Sequence, residues 1–167
     1  MKVLIAIDNS ECSHKALEAV AERSWTDDTE FKIVSVLEPV FVKYPFAGYY
    51  SASSAEAEVE FAKFCQKMIA EKVAQLQAVH PHNKVTGEML EGVVAVMIID
   101  EATKWNADLL VVGSHGRSGV ERFFLGSVAE RVASHASCSV EIIKQKVTLA
   151  KAHKDSEKAA VASGKVM

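Results

Sequence analysis

The run Leu109-Leu110-Val111-Val112 constrains this chain more than any other stretch. It is short and wholly apolar, bounded by Asp108 before it and a glycine cluster after it, which predicts a strand buried on both faces. The chain leaves the run through Gly113, Gly116 and Gly119, where positive φ and close backbone approach are cheap. Ser127-Val128-Ala129-Glu130 then forms a capping-box pattern ahead of apolar Val132 and Ala133, predicting a helix that starts at Ser127, with Ser127 as its cap, and ends at His135. A strand, a glycine-rich turn and a helix N-terminus in succession make an anion site. Backbone N–H groups point outward there, and the helix dipole places partial positive charge where a phosphate would sit.

The rest of the chain alternates. Lys2 to Ile7 reads as a strand, and a helix from Cys12 or Ser13 to Trp25 follows with Ala16, Leu17, Val20 and Ala21 at helical spacing. Thr26 to Thr29 is a polar turn and Phe31 to Leu37 a second strand. Residues 38–55 lack periodicity and hold the aromatics Phe41, Tyr44, Phe46, Tyr49 and Tyr50, which suit a lid, a docking surface or packing over the core. A long helix runs from Ala55 to His80, with Phe61, Cys65, Met68, Ile69, Val73 and Leu76 as its stripe, and Pro81 ends it. Lys84 to Leu90 is a third strand with Gly87 as a weak point. A helix from Val93 to Trp105 carries Val94, Met97, Ile98 and Ala102, and a last strand spans Ser139 to Lys144. Such alternation means right-handed βαβ units and a parallel sheet covered on both faces, an α/β fold. Ligands of such sheets bind beyond the carboxyl ends of the strands, where strand order reverses. With the order 3-2-1-4-5, the exits at Asp8 and Gly113 flank that crevice.

Composition narrows the function classes. The 167 residues, 49% hydrophobic, suffice for one domain with a full core. A net charge of −3 and a pI near 6.1 leave no electrostatic footprint for nucleic acid or an anionic membrane. No apolar run approaches a membrane span, and Met1-Lys2 leads directly into a strand with no visible signal peptide. Cys12, Cys65 and Cys138 share no metal spacing and read as reduced thiols of a cytoplasmic protein. The histidines offer no metal site. Residues 147–167, rich in Lys, Ala and Ser, read as a mobile polar tail or a weak helix beyond a domain of residues 1–146.

Two common phosphate motifs, G-x-x-x-x-G-K-[ST] and G-x-G-x-x-G, are both missing. What stands instead is Gly113, two residues, Gly116, nine residues, then Gly126-Ser127. This spacing resembles the nucleotide-binding motif of the universal stress protein family, in its ATP-binding subgroup. The likeness extends over residues 1–145, with a second signature in Val3-Leu4-Ile5-Ala6-Ile7-Asp8 followed by Ser10, Ser13 and Ala16. It implies a Rossmann-like open sheet of five parallel strands, order 3-2-1-4-5, that holds ATP, with any Mg2+ carried on the phosphates. By that resemblance the backbone around Ala6 and Ile7, with Asp8, holds the adenosine, and the Val36 backbone meets the adenine. Val112 and Gly113 lie under the ribose and phosphates. Ser114, His115, Gly116 and Arg117 line the phosphate loop, which Gly126, Ser127 and Val128 close. One departure is Ser139, where many members have proline. Family members commonly dimerise through the last strand, and Val140-Glu141-Ile142-Ile143-Lys144, an edge with only Glu141 for protection, fits a homodimer through Val140 and Ile142.

Several side chains carry a plainer reading beside this one. Asp8 is also placed to cap the helix after it, Ser127 to cap its own helix, and the cationic pair His115 and Arg117 to form a solvated loop face. Arg122 is open between the two, and Phe123, Phe124 and Leu125 suit anchoring of the loop. Residues 109–120 contain no acidic residue to position water or metal, so no catalytic residue is assigned. The expectation is an ATP-binding stress-response regulator working as a nucleotide-dependent switch. The alternatives are a slow ATPase and a dimeric scaffold that binds no nucleotide.

Overall fold

A computed structural model describes residues 1–39, 52–116 and 125–144, with residues 52–57 described in their backbone alone. The elements are β1 (Lys2–Ala6), α1 (Glu11–Ala21), β2 (Glu30–Leu37), α2 (Ala52–Val79), β3 (Lys84–Glu91), α3 (Val94–Lys104), β4 (Leu109–Gly113), α4 (Ser127–His135) and β5 (Ser139–Ile143). All five strands are parallel, in the order β3-β2-β1-β4-β5. The expected α/β sheet and its strand order are therefore observed. The aromatic segment from Phe41 to Tyr50, Arg117, Arg122, Phe123, Phe124 and the tail at 147–167 lie outside the described residues.

The buried apolar strands separate two cores. On one face Val3, Ile5, Phe31, Ile33 and Val111 pack with Ala16, Leu17 and Val20 of α1 and with Met68 and Leu76 of α2. On the other, Leu4, Ala6, Val34, Leu110 and Val112 pack with Ile98 and Ala102 of α3 and with Ala129 and Val132 of α4. Alternate residues of one strand serve opposite cores, so neither face can be exposed without loss. Burying each such Leu, Ile or Val contributes about 1.5–3 kcal/mol.

The boundaries differ from expectation in ways with identifiable causes. Helix α1 stops at Ala21 instead of Trp25. The Trp25 indole Nε1 turns back to donate to the Val20 carbonyl at 2.8 Å, and its ring meets Phe31 edge-on, so the aromatic is used as a plug and not as a last turn. Gly87 does not weaken β3, which runs unbroken through it. A Cβ at Gly87 would collide with Ile69 Cγ2 and lie 2.8 Å from Val73 Cγ2, so the missing side chain is what lets α2 sit close on the sheet. Within the predicted stripe of α2, Cys65, Met68, Ile69 and Leu76 are buried, while Phe61 is half-buried and stacks with the exposed Phe64.

Glu141 was the one expected guard of the β5 edge. It faces α1 instead and forms a two-pronged ion pair with Arg23. The Arg23 guanidinium holds its carboxyl below the usual range by hydrogen bonding, against the opposing effect of partial burial. Cys12 and Cys65 are buried, and Cys12, Cys65 and Cys138 form no disulfide. No helix among the described residues is long and apolar enough to cross a membrane.

Candidate functional site

The register brings Ala6, Val34 and Val112 to one level of the sheet. The chain then leaves β1 at Ile7-Asp8 and β4 at Gly113-Ser114, on either side of the point where strand order reverses. Ile7 keeps the sheet going by donating its N–H to the Val34 carbonyl at 2.9 Å. Val36, two residues beyond Val34, packs its side chain on the α3–α4 core and leaves its backbone at the crevice level.

The turn after β1 is organised by its own polar atoms. The Ser10 amide donates to Asp8 Oδ1 at 3.0 Å, and the Ser13 hydroxyl accepts from the Asp8 amide at 3.3 Å. Asn9 occupies the left-handed region at φ 64°, one of the few residue types that does so readily. Ser10 is the N-cap of α1, its Oγ accepting from the Ser13 amide at 3.2 Å. Asp8 thus shapes the turn, and the helix-capping role falls to Ser10.

The loop after β4 is pressed onto that turn. Its glycines are there for closeness, since none of Gly113, Gly116 and Gly126 has positive φ. A Cβ on Gly113 would stand 2.7 Å from the Cys12 carbonyl carbon, and one on Gly116 would stand 2.8 Å from Asp8 Oδ2. A Cβ on Gly126 would lie 3.2 Å from the Ser114 carbonyl oxygen. The Asp8 carboxylate therefore borders the glycine loop as well as the end of β1.

Ser114 joins three elements. Its amide donates to the Ile143 carbonyl at the end of β5 (2.8 Å), and its carbonyl accepts from the Gly126 amide (2.9 Å). Its hydroxyl is almost fully buried, 3.7 Å from Cys12 Sγ and 3.1 Å from His115 Nδ1. His115 Nε2 is buried without a hydrogen-bond partner in the structure.

Gly126, not Ser127, is the N-cap of α4, extended at φ −63° and ψ 149° with no side-chain cap. The expected capping box does not form, because the Gly126–Ser114 hydrogen bond fixes the chain one residue earlier. The first intrahelical bond runs from the Glu130 amide to the Gly126 carbonyl at 3.0 Å. The amides of Ser127, Val128 and Ala129 precede it and have no partner within the helix. Ser127 is left exposed as the first helical residue.

The structure therefore assembles Ala6, Ile7, Asp8, Val112, Gly113, Ser114, His115, Gly116, Gly126, Ser127 and Val128 around one crevice, with Val36 at its flank. Arg117 is the member of the expected set outside the described residues. Ser10 was noticed in the sequence only as part of a spacing. Its hydroxyl also donates to the His115 carbonyl at 3.2 Å, a contact across 105 residues that no local pattern announces. Among the described residues no group of three His, Cys, Asp or Glu side chains is placed to hold a metal ion. A cation here would have to ride on a ligand's phosphates with its waters.

Comparison with known proteins agrees with this geometry. A universal stress protein MJ0531 of Methanocaldococcus jannaschii is 35% identical over 145 residues, covering 86% of this chain and 82% of that one. Among solved structures, the hypothetical protein MJ0577 superposes with a TM-score of 0.76 at 22% identity, over 88% of this chain and 97% of its own. A universal stress protein in complex with cAMP matches at TM-score 0.61 and 20% identity over 87% and 98% of the two chains. An Arabidopsis thaliana family member with AMP bound matches at 0.59 and 19% over 88% and 93%. The model of the universal stress protein family matches residues 1–144. With its sheet order and its relatives in agreement, this chain belongs to the universal stress protein family.

Proposed function

We propose that this protein binds an adenine nucleotide, ATP in particular, and acts as a nucleotide-dependent switch in a stress response. One observation carries the reading. The glycine loop at Gly113–Gly116, the Asp8 turn and the N-terminus of α4 converge on the crevice where strand order reverses. Family members of the same fold are bound to cAMP and AMP. A triphosphate would take the amides of Ser127, Val128 and Ala129 and the field of the α4 dipole, with Arg117 as a cationic partner and Mg2+ on the phosphates. The adenosine would lie toward Ile7, Asp8 and Val36.

Regulation is favoured over turnover because residues 109–120 carry no acidic side chain to position water or metal. The slow-hydrolase reading draws on the closeness of Asp8 Oδ2 to Gly116, which sets one carboxylate beside the loop. Nucleotide released by heating the freshly purified protein, identified by mass spectrometry, tests both. ATP in the wild type and none in a folded Gly126→Ala variant is the expected result. That Cβ would stand 3.2 Å from the Ser114 carbonyl oxygen, so Ser114 and α4 must part by a few tenths of an ångström, and affinity should fall about tenfold. ADP alone, with ATP converted on incubation, would move the assignment to the hydrolase. No nucleotide and no binding on addition of ATP would overturn the reading.

A further inference from the structure

We propose that Ser10 is a positioning residue of the nucleotide site, one that aims the Gly116 amide at the ligand's phosphate. The inference rests on the nucleotide-binding reading above and adds a residue and a mechanism to it. Two side-chain hydrogen bonds among the described residues join the β1–α1 segment to the β4 loop, Ser114 Oγ to Cys12 Sγ and Ser10 Oγ to the His115 carbonyl. The first is 3.7 Å long and ends on a thiol, a weak acceptor. The second, from a residue 9% exposed, is a hydroxyl-to-carbonyl bond, long at 3.2 Å but made to a full oxygen acceptor. The Ser10 hydroxyl serves both contacts: one lone pair receives the Ser13 amide, and its single proton goes to His115.

The consequence follows from the peptide unit. The bond between His115 and Gly116 is trans, so its C=O and N–H point in opposite directions across a rigid plane. Holding the carbonyl on the α1 cap therefore turns the Gly116 N–H away from α1. The Gly116 nitrogen lies near the start of α4, 3.9 Å from where a Cβ on Gly126 would stand. The amide of the loop and the first amides of α4 then face a common space. Without the tether the 115–116 peptide loses the one hydrogen bond that the described residues give its carbonyl, and an anion must supply more of the ordering on binding.

The proposal separates phosphate recognition from nucleoside recognition, and that separation is the test. Ser10→Gly removes the hydroxyl while keeping a residue that is nearly as good at an N-cap, so α1 should lose only a few tenths of a kcal/mol. Titration calorimetry would compare AMP, ATP and adenosine on the wild type, Ser10→Gly and Ser10→Thr. The expected result is AMP and ATP weakened about fivefold to tenfold in Ser10→Gly, adenosine unchanged within about twofold, and restoration in Ser10→Thr, which keeps the donor. Equal weakening of adenosine and AMP would show that Ser10 only supports the fold and would overturn the inference, as would AMP binding unchanged in Ser10→Gly. A wild type that binds none of the three would overturn the function itself, an outcome visible before any variant is made.

Discussion

Lys32 stands in β2 on the α3–α4 face of the sheet, with its ammonium 2.7 Å from Glu101 Oε1 and 3.1 Å from Glu88 Oε2. Glu101 is only 5% exposed, and the Trp105 ring covers the ammonium at 5.3 Å. Burial pulls the Lys32 pKa down, but the hydrogen bonds to Glu101 and Glu88 outweigh it, so the net shift is upward. The stabilisation is therefore whole at neutral pH and lost only as pH rises beyond the ordinary lysine value. Removing one partner leaves the other charge buried. Lys32→Ala should lower unfolding stability by about 3 kcal/mol, whereas Lys32→Met with Glu101→Gln should recover most of that in urea titrations. Periodicity hid this cluster. Glu101 falls on the buried face of α3, and nothing in its neighbours names a cation 69 positions away. The glycine loop was more legible, because Gly113 and Gly126 lie against backbone and Gly116 against the Asp8 carboxylate, needs that are written into the spacing itself. What the spacing withheld was which of its two reasons applies, close approach and not positive φ, and the identity of the cap on α4.

Elements were legible in number, kind and order because each strand is an apolar run and each helix an apolar stripe, and both are properties of neighbours in sequence. Their ends were less so, since contacts from elsewhere decide them. Trp25 leaves α1 for Phe31, and Gly126 is taken from the loop by Ser114. Gly87 shows the same dependence in the opposite sense. Read locally it is a weak strand residue, yet α2 occupies the space its Cβ would need. Gly87→Ala should destabilise the domain by about 1–3 kcal/mol despite the better strand propensity of alanine. Adding Ile69→Leu, which deletes the Cγ2 methyl in the way, should return part of that loss. Thermal unfolding of the single and double variants decides it, and a neutral Gly87→Ala would show that α2 shifts without penalty.

At the scale of the molecule, β5 ends one side of the sheet with Val140 and Ile142 packed toward the α3–α4 core and Glu141 spent on Arg23. Its outer backbone edge has no neighbouring strand among the described residues. We expect a homodimer through this edge, and sedimentation at micromolar concentration should give twice the chain mass of 18.2 kDa. A monomer with and without ATP would refute it. The two ends of the described domain also leave from opposite poles. Met1 precedes β1 at the pole remote from the crevice, while Ile143, whose carbonyl holds the Ser114 amide, ends β5 beside it. A fluorophore attached at Lys144 would thus sit at the rim of the proposed nucleotide site and respond to its filling. The same dye at the amino end would report only on whether the protein is folded.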